Sequence, residues 1–190
     1  MKRVGVMASG NGSNFEALLK GIKAEVVLLL VNKDNAYVTQ RAERNGVPVV
    51  NIGLGHFKSP RDRDQRIIGA LREQAVDLVV LAGYLGILSP EVIRAYPGRI
   101  VNIHPSLIPK YAGKGYYGSK VHEAVILNRE PFTGVTVHYV DEGIDTGEII
   151  SQEKVPVLPT DTPDSLGKRV LEVEHRLLVE TVNRLLEAWS

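Results

Sequence analysis

The sequence predicts an α/β protein with a doubly wound, mostly parallel β-sheet that ends in an antiparallel edge and a long final helix. Three observations support this. Short β-branched runs alternate with amphipathic stretches through the first half of the chain. One run, 77–82 (DLVVLA), is apolar throughout, as expected of a strand covered by helices on both faces. The 190 residues suffice for one good-sized domain, so we expect 1–190 to fold as a single unit.

The first half of the chain supplies the repeated strand–helix units. Strands are predicted at 3–8, 25–31, 48–52, 77–82 and 99–103, and helices at 13–21, 36–45 and 61–74. Ser13 is the expected N-cap of the first helix, because Glu16 follows it at capping-box spacing. The connections between parallel strands should be right-handed crossovers.

The pattern changes in the second half. Residues 113–118 (GKGYYG) predict a loop, here called the glycine–tyrosine loop, and 119–127 a helix. The run 134–140 (GVTVHYV) alternates with period two, which predicts a half-exposed strand, and 147–157 should pair with it as the antiparallel edge. The long final helix is expected at 161–189, where Pro163 is tolerated in the first turn.

Composition excludes several classes of protein. The formal net charge is +1, so the composition gives no support for a nucleic-acid partner. The absence of cysteine excludes disulfides and thiolate zinc sites. The longest apolar run, 26–31, is far shorter than the roughly 20 residues of a membrane span, and the apolar stretch 4–8 ends too early for a signal peptide. We expect a cytoplasmic protein, complete as written, without a membrane partner.

The first candidate site is the loop 9–14 (SGNGSN), which joins the first strand to the first helix. Glycine lets the backbone approach a ligand closely, and the N–H groups of a helix start favour an anion. No Walker lysine follows the loop. Gly10 and Gly12 fit the first two glycines of the dinucleotide fingerprint, but Phe15 occupies the third position. The loop therefore predicts a site for a single phosphate.

The second candidate site is the segment 102–109 (NIHPSLIP), which leaves the end of a buried strand, where open α/β sheets bind ligands. Asn102 and His104 alternate with Ile103 and should face the same side. An amide can stabilise an oxyanion and an imidazole can move a proton, which together suit acyl transfer. Asp145, in the turn between the last two strands, would orient His104 if the fold brings them together.

The other histidines give weaker signals. His138 could line a cleft or cover the edge of its strand, whereas His56, His122 and His175 are expected at the surface or in packing. No histidine pair has metal-ligand spacing, so we expect no metal site. Ser106 lacks the glycines of a nucleophile elbow, which argues against a hydrolase serine.

Three blocks of the sequence resemble the folate-dependent formyltransferases. They are 81–90 (LAGYLGILSP), 102–109 (NIHPSLIP) and 145–147 (DTG), in the same order as in that family. The 9–14 loop looks like that of the member acting on glycinamide ribonucleotide. The resemblance covers nearly the whole chain. It implies a Rossmann-like formyltransferase fold and transfer of a formyl group from 10-formyltetrahydrofolate to that nucleotide, a step of purine biosynthesis.

The resemblance also implies roles for individual residues. Asn102, His104 and Asp145 match the catalytic positions. The substrate positions are Asn11, Gly12, Ser13, Asn14, Pro109 and Glu174, with Glu174 on the ribose. The folate positions are Leu85, Ile87, Leu88, Ile93, Val140 and Asp141 together with Asn102 and Asp145, and Arg61 matches an arginine for the glutamate tail. The N-terminal half should thus bind the phosphate, and the C-terminal half should supply the catalytic groups and the folate pocket.

The chain departs from the family pattern at two places. Gly86 stands where many relatives carry arginine, so side-chain contacts to the folate would be lost there. The glycine–tyrosine loop also differs from the versions typical of the family.

Other functions stay open at this point. A methionyl-tRNA formyltransferase should carry a second, basic C-terminal domain, and a formyltetrahydrofolate hydrolase an additional N-terminal one; the sequence shows neither, which favours the nucleotide substrate. A non-catalytic nucleotide-binding module would need the 9–14 loop but not Asn102, His104 and Asp145. A nicotinamide oxidoreductase needs an acidic residue at the end of strand two, where 32–34 (NKD) offers one only late, and it also needs the third glycine, which is missing here. The sequence does not determine the oligomeric state, and a homodimer is one option.

Overall fold

One sheet of seven strands organises the residues that the structure, a computed structural model, describes (1–189). The strands are β1 Arg3–Ala8, β2 Glu25–Val31, β3 Val49–Asn51, β4 Leu78–Leu81, β5 Ile100–His104, β6 Phe132–Tyr139 and β7 Ile149–Pro156. The helices are α1 Ser13–Gly21, α2 Val38–Arg44, α3 Pro60–Glu73, α4 Pro90–Ala95, α5 Ser119–Leu127 and α6 Pro163–Ala188, with a short 3₁₀ turn at Leu54–His56. The predicted fold class is confirmed.

The strand order creates a crevice beside β1. The sheet runs β3-β2-β1-β4-β5-β6-β7. Strands β1 to β5 are parallel, β6 is antiparallel to β5, and β7 is antiparallel to β6. The chain moves outward from β1 to β3 and then returns to place β4 on the other side of β1. Connections therefore diverge above β1 and β4, and open α/β sheets bind ligands at the carboxyl ends of strands at such a reversal.

Helices cover both faces of the sheet. On one face α1, α5 and α6 bury side chains such as Phe15, Leu166 and Leu178 against the strands. On the other face α3 and α4 bury Ile67 and Val92. Each such side chain contributes about 1.5–3 kcal/mol to the free energy of unfolding, so the sheet forms a rigid support for the loops at its edge.

The predicted N-cap at Ser13 is wrong. Gly12 occupies the N-cap with a φ of 82°, and no side chain caps the helix. Glu16 instead forms ion pairs with Lys20 and Arg41. A left-handed residue at the N-cap turns the chain so that Ser13 is already helical. The free N–H groups of the first turn of α1 are thus left without a side-chain partner.

The prediction that β6 is half-exposed is also wrong. Every residue of 133–138 is buried, because β6 lies between β5 and β7 and has cover on both faces. Val135 and Val137 pack into the core beneath α6. On the other face the Thr136 hydroxyl donates to the Ser106 carbonyl, and Leu107 lies against Gly134. The exposed edge is β7.

The final helix begins with a capping box. The Thr162 hydroxyl accepts from the Ser165 backbone N–H, the Ser165 hydroxyl accepts from the Thr162 N–H, and Pro163 takes the first helical position.

No described helix has the length and apolar character needed to cross a membrane.

Candidate active site

A cavity of about 740 Å³ opens at the carboxyl ends of β1, β4 and β5. Its wall contains segments 10–14, 81–88, 102–105 and 113–119, most of the 140–146 turn, and one face of α6. These segments are far apart in sequence, and each follows a strand or begins a helix of the rigid core.

At one end of the cavity lies the predicted phosphate loop. A Cβ on Gly12 would stand 2.3 Å from Val38 Cγ2, so the tight turn into α1 requires glycine. The Arg41 guanidinium holds Asn11 from outside, donating to its carbonyl and its Oδ1 at 2.8 Å each. Asn11, Gly12, Ser13 and Asn14 all line the cavity, so their N–H groups and side chains surround one space.

Glu174 of α6 joins this end of the cavity. Its Oε2 accepts from Asn14 Nδ2 at 3.0 Å, although the two residues are 160 positions apart. Burial raises the pKa of Glu174 to about 7, against a smaller opposing effect of the Asn14 hydrogen bond. The carboxyl group therefore exchanges a proton near neutral pH, and a bound hydroxyl group could meet it in either form.

The three predicted catalytic residues meet in the middle of the cavity. Asp145 Oδ2 lies 3.5 Å from His104 Nδ1, and Asp145 Oδ1 lies 3.5 Å from Asn102 Nδ2. The Gly113 N–H donates to Asp145 Oδ2 at 3.0 Å, which ties the glycine–tyrosine loop to this carboxylate. Burial by itself raises the pKa of Asp145, but the charge of His104 and the hydrogen bond from the Gly113 N–H outweigh it and lower the pKa.

The protonation of His104 follows from its partners. Its Nε2 lies 2.8 Å from the Tyr111 carbonyl oxygen, which can only accept, so Nε2 carries a proton. Its Nδ1 faces the Asp145 carboxylate. Both ring nitrogens thus face acceptors, and an imidazolium, which donates from both, satisfies the two contacts.

His138 is a site residue that the sequence reasoning did not select. Its Nδ1 donates to the Tyr139 carbonyl at 2.8 Å, so Nε2 is free to accept from Asn102 Nδ2 at 3.1 Å. It is 2% exposed and lies 3.7 Å from Asp145 Oδ1. The signal that locates it is the antiparallel register, which places His138 directly opposite Asn102.

His122 is buried, which is one of its two expected placements, and it also lines the cavity. Burial, with a smaller contribution from the charge of His104, lowers its pKa. His56 remains exposed and pairs with Asp34, and His175 is outside the cavity wall.

The other end of the cavity is apolar. Its wall contains Leu85, Ile87, Leu88, Ile93, Val140 and Asp141. Ser9 anchors this wall, because its Oγ accepts from the Leu85 N–H at 2.8 Å and donates to Asn32 Oδ1 at 2.6 Å. Leu85 and Ile87 remain 49% and 63% exposed, which leaves apolar surface open to a ligand.

Two of the predicted ligand contacts lie outside the cavity wall. Arg61 is solvent-exposed in the first turn of α3, and Pro109 is exposed on the segment after β5. The structure does not bring either residue to the catalytic group. Within the described part of the chain, no cluster of three or more potential metal ligands occurs.

Known proteins resemble this chain in sequence. The family model described as "Formyl transferase" matches residues 2–182. Phosphoribosylglycinamide formyltransferase of Bacillus subtilis is 37% identical over 98% of this chain and 95% of its own length. The chloroplastic enzymes of Arabidopsis thaliana and Vigna unguiculata are 42% and 45% identical over 98% of this chain, which spans 66% and 61% of their lengths.

Solved structures show the same similarity in three dimensions. The crystal structure of phosphoribosylglycinamide formyltransferase from Bacillus halodurans superposes with a TM-score of 0.91 at 39% identity, covering 100% of this chain and 97% of that one. The corresponding structure from Streptococcus pneumoniae gives 0.90 at 39% identity, covering 98% and 99% of the two chains. This chain belongs to the formyl transferase family.

Proposed function

We propose that this chain transfers the formyl group of 10-formyltetrahydrofolate to the amino group of 5-phosphoribosylglycinamide, giving N-formylglycinamide ribonucleotide and tetrahydrofolate in purine biosynthesis. The observation that carries the proposal is the arrangement of one cavity. An anion-binding loop and an apolar wall lie at opposite ends, with Asn102, His104 and Asp145 between them. Relatives that match nearly the full chain are named for this activity.

The nucleotide occupies the end beside α1. Its phosphate binds to the N–H groups of 11–14, where the helix dipole and the uncapped first turn favour an anion. Lys114 and Lys168 also line the cavity and form no ion pair among the described residues, so both are available to a phosphate dianion. Glu174, which is hydrogen-bonded to Asn14 of the phosphate loop, then binds a ribose hydroxyl.

The folate occupies the apolar end. Leu85, Ile87, Leu88, Ile93 and Val140 provide surface for its ring system, and Asp141 sits in the turn beside them. Asp141 is already engaged within that turn, accepting from the Gly143 N–H and the Thr146 hydroxyl, so it orders the wall through these bonds. The formyl carbon then approaches Asn102, His104 and Asp145 from one side, and the substrate amine approaches them from the other.

The amine attacks the formyl carbon directly, and no covalent enzyme intermediate forms. Asn102 donates to the oxyanion of the tetrahedral intermediate with the N–H that otherwise makes the long, 3.5 Å contact to Asp145. His138 holds the other N–H of the same amide and so orients it. His104, as imidazolium, stabilises the same negative charge.

Proton transfer completes the reaction. The attacking nitrogen loses one proton and the departing folate nitrogen gains one, so the histidine returns to its starting state. His104 Nδ1 is the ring nitrogen that carries this proton, since Nε2 is held by Tyr111. Asp145 keeps the imidazolium oriented. Holding both reactants in one cavity contributes further rate acceleration through proximity.

The proposal assigns the anion site to the N-terminal half of 1–190 and the catalytic groups and most of the folate wall to the C-terminal half. Its partners are these two small molecules, without a metal. We place the reaction in the cytoplasm, whereas the two plant relatives are named as chloroplastic. Cell fractionation tests the compartment, and sedimentation tests whether the chain forms a homodimer.

The test is release of tetrahydrofolate from 10-formyltetrahydrofolate, followed by absorbance with and without glycinamide ribonucleotide. The proposal requires release only when the nucleotide is present, and formation of the formylated nucleotide in equal amount. Equal release without the nucleotide would identify a hydrolase instead. Absence of release in both cases would contradict a catalytic role. The His104→Ala variant, purified in parallel, controls for a contaminating enzyme.

A further inference from the structure

The Tyr84 hydroxyl is a hydrogen-bonding group of the cavity wall that the mechanism above does not use. Tyr84 follows β4 and lines the apolar end, with its ring packed against the core beneath α3 and α4. Within residues 1–189 its hydroxyl makes no hydrogen bond, whereas the Tyr111 hydroxyl donates to Glu130. A ligand in the apolar end is therefore the available partner for this group.

Gly86 determines where the Tyr84 ring lies. A Cβ built on Gly86 would stand 2.4 Å from Tyr84 Oη, 2.5 Å from Cζ and 2.7 Å from Cε1. Such separations are far inside van der Waals contact, so the end of the ring occupies the space that a side chain at 86 would take. The ring can hold this position only because residue 86 is glycine.

The surroundings of the hydroxyl favour donation to an anion. Burial raises the pKa of Tyr84, so the phenol stays protonated at neutral pH. The ionised groups whose charges act on it are Arg63 and Asp64 of α3, which pair with each other at 3.2 Å. Arg63 and Asp64 do not line the cavity themselves, and Tyr84 is the wall residue on which their charges act.

We propose that the Tyr84 hydroxyl, held in place by Gly86, is a specificity-determining contact that donates to a carboxylate of the folate's glutamate tail. The inference rests on the proposed function. Only the tail of the folate is anionic, and its ring system matches the apolar side chains of the wall. A tail that leaves the cavity beside Tyr84 meets its hydroxyl and comes under the charge of Arg63, which acts on the same hydroxyl.

The test compares steady-state kinetics of Tyr84→Phe with those of Tyr96→Phe. Tyr96 packs against the same core cluster and also has a pKa raised by burial, but it does not line the cavity, so its variant is a matched control. We expect Tyr84→Phe to raise KM for 10-formyltetrahydrofolate about tenfold, as for loss of a hydrogen bond to a charged group, with the KM of the nucleotide unchanged. With 10-formyltetrahydropteroate, which lacks glutamate, Tyr84→Phe and the wild type should have equal KM.

A second variant tests the role of Gly86. Gly86→Ala should displace the ring and raise the same KM to a similar extent. The variant that carries both Tyr84→Phe and Gly86→Ala should have a KM no higher than that of the worse single variant, because both substitutions act on one contact. Gly55→Ala, where an added Cβ meets nothing within 4 Å, is the control.

Each other outcome overturns the inference. A Tyr84→Phe variant that behaves like Tyr96→Phe would remove the hydroxyl from folate binding. An equal rise in KM with both folates would show that the hydroxyl does not bind the glutamate tail. Rises in KM that multiply in the double variant would show that Gly86 and Tyr84 act independently. An inactive wild type, by contrast, would refute the proposed function itself.

Discussion

Replacing Asp145 by asparagine removes one negative charge from the centre of the cavity with little change in shape. Asp145 has a φ of 56°, in the left-handed region, and asparagine tolerates that conformation far better than alanine does. Asparagine can also still accept from the Gly113 N–H. The substitution therefore isolates the charge opposite His104 from the backbone turn that presents it.

The magnitude follows from the distance between the charges. At 3.5 Å from His104 Nδ1, and at an effective dielectric constant of about 20, the gross attraction is about 5 kcal/mol. The remaining amide dipole and local relaxation recover part of it, which leaves a loss on the order of 3 kcal/mol, as is usual when one partner of a buried charge pair is neutralised. If the imidazolium is needed in the transition state, kcat should fall about 150-fold.

The assay is the nucleotide-dependent release of tetrahydrofolate, with thermal unfolding to confirm that the variant folds. Glu142→Gln is the control, because it removes the same charge from the same turn, where Glu142 faces Arg94 outside the cavity. The pKa of Asp145 lies below its ordinary value, so wild-type kcat should hold until the pH falls through the acidic range, and Asp145→Asn should lack that decline. A kcat within threefold of the wild type would refute the electrostatic role of Asp145.

Three other substitutions test the surroundings of the catalytic group. Burial raises the pKa of Glu174 to about 7 from 4.5. Its protonated form therefore stabilises the ligand-free fold below pH 4.5, and this contribution is lost as the pH rises through 7. Glu174→Gln should abolish this loss of stability, which amounts to up to about 3 kcal/mol, when thermal unfolding is compared at pH 5.5 and 8.5. His138→Phe deletes the acceptor of Asn102 Nδ2 and should lower kcat about tenfold, with partial recovery in His138→Gln. Ser9→Ala leaves the Leu85 N–H without its partner and should cost about 1–3 kcal/mol in urea unfolding and raise the KM of the folate.

Each of these has an outcome that counts against its reasoning. Parallel pH–stability curves for Glu174→Gln and the wild type would mean that the carboxyl group is not held neutral. Equal kcat in His138→Phe and the wild type would show that Asn102 needs no anchor. An unchanged urea midpoint in Ser9→Ala would indicate that water replaces the serine hydroxyl.

Local patterns were enough to predict much of this molecule. Strand and helix positions agreed because each depends on the period of apolar residues within one short segment. Asn102 and His104 could be assigned to one face because alternation in a strand is also local. The two errors in the fold, the cap at Ser13 and the exposure of β6, both concern what a segment meets outside itself.

The meeting of distant groups was decided by tertiary structure alone. Asp145 reaches His104, and Glu174 reaches Asn14, only because β5, the 140–146 turn and α6 come together at one edge of the sheet. The antiparallel register placed His138 opposite Asn102.

The sequence by itself determined the segments, their order and the chemistry available at strand ends, because these are properties of neighbouring residues. Only the tertiary structure decided which of those groups share a cavity, how far apart they lie and which are buried. Distances and burial set electrostatic interactions and pKa values, and they depend on packing between residues far apart in the chain. The position of the Tyr84 ring over Gly86 is such a case, since no periodic pattern specifies the path of a side chain.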